Sequence, residues 1–184
     1  MVACERARGV DTQPLSQAGM SYDSVKQLQN AKVTTAEITD ILTMRDAGFS
    51  DDDCVQIVQV FHGRGQIFDS GNAVAGLIQA GVGDQTIFAL ANLNQLGRSA
   101  GEFEAMHLAG LSDAILLEIA RHRSQGKPAL SGVTLARLKN TGLRGSTLLE
   151  LARRDIPDSE GTAIISFRRR GASDAQVLRR FSGS

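Results

Sequence analysis

The chain has 184 residues, enough for one ordinary core or one short array of repeats, and a formal net charge of zero. With no tryptophan, one tyrosine and seven phenylalanines, any core must be built from Leu, Ile, Val and Ala. No run of eighteen apolar residues occurs, so the sequence contains no membrane-spanning helix, and β-strand alternation is nowhere sustained.

Residues 1–14 read as a flexible tether ahead of a single helical-repeat domain over 15–184. Met1-Val2-Ala3-Cys4 resembles the end of a bacterial lipoprotein signal, in which small or aliphatic residues precede a cysteine that becomes lipidated, making Cys4 the lipidation candidate. That reading requires a charged and an apolar segment upstream of Met1. A multiply acylated cysteine would anchor stably, with Glu5–Gln17 as the tether.

From there a glycine followed by an apolar residue recurs six times, at Gly19, Gly48, Gly81, Gly110, Gly142 and Gly171, in steps of 29, 33, 29, 32 and 29 residues. A period of this size is the signature of a repeat architecture. Around Gly110, Phe103, Met106 and Leu108 precede the glycine and Ile115, Leu116 and Ile119 follow it at helical spacing. Glycine suits the left-handed residue that ends a helix, Ser112 is an N-cap residue, and Asp113 falls where the helix dipole favours negative charge. The motif therefore predicts helix, tight turn, helix. Ser173 with Gln176 predicts a capping box, and Ser50 with Asp53 a looser one. Phe49, Val82, Leu111 and Leu143 should pack back on the preceding helix.

A second punctuation (Ser70-Gly71, Ser99–Gly101, Ser131-Gly132, Ser159–Gly161) lies about ten residues before each following turn. The first helix of each unit is then about two turns long, too short to persist alone. Neighbouring hairpins must hold it, which is the logic of a stacked array. The expected fold is all-α: stacked short helical hairpins, solenoid-like or irregular, about five of them plus an N-terminal half unit that Pro14 keeps short. Either hairpins pair into a super-repeat near 61 residues, or the connections simply vary in length.

Residues 1–92 carry six Lys+Arg and eleven Asp+Glu, and residues 93–184 fourteen and nine, so the halves stand near −5 and +5. This is either scatter on solvated faces or a basis for association through oppositely charged surfaces.

No catalytic constellation is visible. His62 reads as part of a loop, His107 as part of a first helix, and Arg121-His122-Arg123 as a cap on terminal carbonyls. No HExxH or CxxC pattern exists, so no metal and no cofactor are expected. Asp51-Asp52-Asp53 fits a helix's first turn, and Cys54 reads as a buried, inert thiol. Leu77–Leu90, centred on Gly81-Val82-Gly83, resembles the helix-hairpin-helix motif, whose turn offers N–H groups to a phosphate. Gly81 and Gly83, with the basic cluster Arg168, Arg169 and Arg170 beside Arg179 and Arg180, are the phosphate-contact candidates of that nucleic-acid alternative. Against it stand the aspartates after four of the six glycines and the missing net basic charge. Met44–Ser50 resembles one turn of a small ubiquitin-binding helical module.

The repeated Ala-Gly-apolar-Ser-Asp turn, over most of residues 15–181, resembles that of helical-hairpin repeat proteins of bacterial exported and lipoprotein type. The resemblance implies a cell-envelope or periplasmic setting, lipid-anchored if Cys4 is modified, with a cytoplasmic location as the alternative. The expected function is a non-catalytic protein-interaction or structural accessory subunit of a membrane-associated assembly, with protein partners that include a second copy of the chain.

Overall fold

The computed structural model describes residues 10–97 and 99–182. Among them the chain is all-helical, with twelve α-helices, one short 3-10 turn at Asp158–Glu160 and no strand. Two compact units divide between Gln79 and Ala80. The first holds α1 (Gln13–Gln17), α2 (Tyr22–Asn30), α3 (Thr35–Asp46), α4 (Asp51–His62) and α5 (Gly71–Ala80), the last ending at the boundary. The second holds α6 (Asp84–Asn92), α7 (Ala100–Leu108), α8 (Asp113–Ser124), α9 (Gly132–Asn140), α10 (Gly145–Ala152), α11 (Gly161–Arg169) and α12 (Asp174–Arg180).

Each of the six recurring glycines separates two consecutive helices, with φ between +76° and +113°. A Cβ in that conformation costs roughly 1–2 kcal/mol, which is why glycine recurs there. After α1, α3 and α7 the glycine N–H bonds a carbonyl three residues back, and the next N–H bonds one five residues back. This closure buries Met20, Phe49 and Leu111 against the helix just ended.

The expected N-terminal half unit is a helix–turn–helix in its own right, with a five-residue α1. Pro14 shortens it without preventing it, because proline is tolerated in a first turn. Thr12, ahead of residue 15, is buried and its hydroxyl accepts from Gln29 Nε2 at 2.5 Å. The Ser173–Gln176 capping box forms; Ser50 caps the Asp53 N–H without the reciprocal bond. Ser112 occupies an N-cap position, but the Ile115 N–H bonds its carbonyl and its hydroxyl makes no cap.

Alternate connection lengths reflect pairing of turns. Asp51, Asp113 and Asp174, which open α4, α8 and α12, recur after 62 and 61 residues. Each carboxylate reaches back thirty residues to the start of α2, α6 or α10, accepting from the N–H of Ser21 (2.7 Å), Gly83 (3.0 Å) or Arg144 (3.2 Å). All three ties span the 29-residue steps. At the 32-residue step Gly145 stands where the aspartate would be, and α8 packs directly on α10.

The residue three before each later turn glycine covers the preceding one: Arg45 over Gly19, Ile78 over Gly48, His107 over Gly81, Lys139 over Gly110 and Arg168 over Gly142. Arg45 donates to the Ala18 carbonyl, and Lys139 Nζ to those of Ala109 (3.0 Å) and Gly110 (2.6 Å). Arg168 donates to Thr141 O (3.4 Å) and Gly142 O (3.1 Å). Helix ends left with unpaired carbonyls are thus capped by cations one hairpin further on.

Gly71, Gly132 and Gly161, the first residues of α5, α9 and α11, do more than punctuate. A Cβ on Gly71 would lie 2.5 Å from the Asp40 carbonyl oxygen, and those on Gly132 and Gly161 would run into Met106 and Thr134. Close approach of successive first helices requires them. The core beneath is aliphatic, with Leu15, Leu28, Ile41 and Ile57 fully buried in the first unit and Leu90, Leu116, Leu135 and Leu151 in the second; Phe68 and Phe103 are its largest members.

Candidate functional site

Three of the four aspartates after the glycines, Asp51, Asp113 and Asp174, are not free first-turn charges, whereas Asp84 is exposed. Asp174, 9% exposed, accepts the Thr147 hydroxyl at 2.7 Å, the Arg144 N–H and Nε–H, and has Arg168 Nη2 at 3.6 Å. The Thr147 bond, against burial and with the Arg144 contacts, holds its carboxyl below the usual range. Burial pushes Asp51 up, but Arg45 at 2.8 Å and the Ser21 N–H outweigh it and leave it lowered. Asp113 accepts the Thr86 hydroxyl at 2.9 Å; His107 Nδ1 lies 3.1 Å from its other oxygen without hydrogen-bond alignment.

These contacts occupy the turn that the helix-hairpin-helix resemblance offers to phosphate. The Gly83 N–H is given to Asp113, so a phosphate there must displace a carboxylate already in place. Gly81 lies beneath His107, whose Nε2 would be 3.7 Å from a Cβ at that position.

A second set of acids holds the long connections. Glu37, 1% exposed, accepts from His62 Nε2 at 2.5 Å, the Phe68 N–H at 2.9 Å and the Thr34 N–H at 2.7 Å. Burial raises its pKa, but these bonds prevail and lower it from the ordinary 4.5. Sequence reasoning missed this residue, although Thr34-x-x-Glu37 is a capping-box pattern and the reciprocal box forms at the start of α3. Asp40 accepts the Gly71 N–H at 3.0 Å, yet burial and the charges of Asp69 and Glu37 leave its carboxyl raised. Glu102 takes the same part before α9; Arg123 at 2.7 Å is the main cause of its lowered pKa.

The histidines sit at three separate places. His62 is the last residue of α4, not part of a loop, and bonds Glu37. His122 is buried with Nε2 3.6 Å from Asp155 Oδ1, while Arg123 pairs with Glu102 and Arg121 with Glu118. The Arg121–Arg123 run therefore serves side-chain pairs rather than the terminal carbonyls of α8. Among the described residues no three His, Cys, Asp or Glu side chains converge as a metal-ligand set. Asp51, Asp52 and Asp53 share a first turn, with Asp51 committed to Ser21 and Arg45. Cys54 is fully buried and its thiol is pushed up to about 12, chiefly by burial, so it is unreactive at neutral pH. Cys4 lies outside the described residues.

The remaining cluster is basic. Arg168 and Arg169 end α11 and Arg170 follows it, and Arg169, Arg170, Arg179 and Arg180 are exposed. Arg180 stacks over Phe167 with its guanidinium 4.8 Å from the ring centre. Between the last turns of α9 and α11 is an open cleft of about 480 Å³ lined by Arg137, Asn140, Thr141, Arg168, Arg169 and Gly171. No known protein-family model matches the chain, and no curated protein matches it in sequence.

Proposed function

We propose that the chain is a non-catalytic interaction or structural subunit of a membrane-associated assembly, acting through oppositely charged parts of its surface. The observation that carries this reading is the division of its charges. Acids and bases at repeated positions tie helix ends together, and the formal charge as a whole is unevenly divided along the chain. Residues 1–79 carry six Lys+Arg against ten Asp+Glu, whereas residues 80–184 carry fourteen against ten. Complementary charges of this kind steer encounter and register more than they supply affinity. The partner is another protein of complementary charge or a second copy of the chain.

The proposed setting is the bacterial cell envelope, with attachment through a lipidated Cys4. Its support is the Val2-Ala3-Cys4 pattern and the resemblance of the turns to exported helical-hairpin proteins. Among the described residues no helix is long and apolar enough to cross a membrane, so attachment in this proposal runs through Cys4. Crosslinking in native membranes should recover a discrete partner, and Cys4→Ala should move the protein to the soluble fraction. A monomer that captures nothing and fractionates as before the substitution would refute both parts.

The exposed arginines of α11 and α12 favour one second reading, nucleic-acid binding. It predicts DNA affinity that falls steeply with salt and weakens when Arg168–Arg170 are neutralised; no binding at low salt ends it.

A further inference from the structure

The repeats separate arginines the fold needs from arginines it does not. A cation three residues before a turn glycine caps the preceding helix, and Arg168 fills that role with bonds to Thr141 O, Gly142 O and Ala172 O. Arg169 stands two residues before its glycine, where the other units have Gln17, Asp46, Gln79, Leu108 and Asn140. Arg137 stands five before Gly142, where the others have Pro14, Thr43, Gly76, Ala105 and Ser166. Neither position calls for positive charge in any other unit. Arg169 makes no hydrogen bond or ion pair with the described residues, and Arg137 acts only at a distance on Asp158. Yet the two flank Arg168 in one cleft with the Asn140 amide and without a carboxylate in the lining.

We infer that this cleft between the C-terminal turns of α9 and α11 is a binding site for a small phosphate-bearing ligand of diphosphate size. Helix C-termini repel anions through their exposed carbonyls. Here Arg168 covers the Thr141 and Gly142 carbonyls, which removes the opposing partial charge and fixes one guanidinium in the floor. Arg137 and Arg169 keep all their N–H donors, and the planar fork of arginine suits bidentate contact with phosphate oxygens. The Thr141 hydroxyl donates to Leu138 O at 2.6 Å and is not a donor to the ligand; Asn140 is. The volume of about 480 Å³ exceeds the needs of a single phosphate and fits two phosphates with an organic substituent.

The test is calorimetric titration of the full chain with inorganic pyrophosphate at low salt, beside Arg137→Gln/Arg169→Gln, with tetraglutamate as the carboxylate probe. Pyrophosphate should bind with a Kd of roughly 1 mM or tighter. The double variant should lose at least about tenfold in affinity with an unchanged Tm, because neither arginine holds the fold. Arg168→Gln is not used, since it would also uncap α9. Absence of pyrophosphate binding, equal binding by the double variant, or tighter binding of tetraglutamate each overturns the assignment. None of these outcomes bears on partner capture from membranes, which tests the interaction reading separately.

Discussion

The first unit (described from residue 10 to 79) and the second (80 to 182) use one set of devices with different chemistry. In the first, the tie at the start of a helix is Asp51 on Ser21 with Arg45 beside it, partly exposed; in the second, Asp174 on Arg144 and Thr147 is nearly buried. The long connection of the first unit hangs on Glu37, sealed from solvent, whereas in the second unit Glu102, which bonds the first N–H of α9 as Asp40 bonds that of α5, keeps a side chain 37% exposed and pairs with Arg123. Shared positions mark what the fold requires. Positions that differ, such as Arg137 and Arg169, mark what each surface can be used for.

Acid offers the broadest way to stress both units at once. Glu37, Asp51, Glu102, Asp158 and Asp174 all have lowered pKa values in the fold. Their contribution is therefore complete above the ordinary values of 4.5 for glutamate and 3.8 for aspartate, and is lost as pH falls through the lower folded values. Asp40 is raised and works in the opposite sense, relieving strain as it protonates, but it is one group against five. Denaturant midpoints should be level near neutrality and fall steadily from about pH 5 downward. A midpoint that rises on acidification would show that the carboxylate ties do not stabilise the fold.

Single substitutions then sharpen the contrast. Glu37→Ala strands His62 and two backbone N–H groups inside the first unit and should cost about 3–5 kcal/mol in denaturant unfolding. Glu102→Ala, at a partly exposed pair, should cost about 1 kcal/mol. Equal losses would erase the distinction between a sealed and an open connection. Among glycines, Gly71→Ala drives a Cβ into the rigid backbone of Asp40 and should cost about 1–3 kcal/mol. Gly132→Ala drives a Cβ to 2.3 Å from Cγ of the buried Met106 and should cost a similar amount, and Gly101→Ala, in open space on α7, should be neutral or stabilise by up to about 1 kcal/mol. Thermal melts of the three variants decide the order.

Much of this fold was legible in residue spacing. Glycine, an apolar residue and a capping residue at 29- to 33-residue intervals define the turns, because helix ends impose the same local chemistry wherever they occur. Helix starts were read less well. Ser112 looks like a capping residue but does not act as one, and the five-residue α1 depends on contacts along the chain from Pro14. Partners thirty residues away were not legible at all. Asp113 satisfies its own helix dipole equally well whether or not it also binds Gly83, so sequence alone left it as a local cap. The same limit hid Arg168 as a cap for α9 and left it among the free arginines. The carbonyls that Arg168 binds, and that Arg137 and Arg169 do not, are what set those two apart from it.

The central claim is that the carboxylate after each short step is a tie between hairpins, not an isolated helix cap. A double-mutant cycle with Asp174→Asn and Thr147→Val tests it most directly, because the two side chains meet at 2.7 Å across α10 and α12. Asp174→Asn alone should cost about 2 kcal/mol and Asp51→Asn, at the more exposed tie, about 1 kcal/mol or less. The cycle should return a coupling of about 1 kcal/mol or more between Asp174 and Thr147; additivity within about 0.3 kcal/mol would contradict the account.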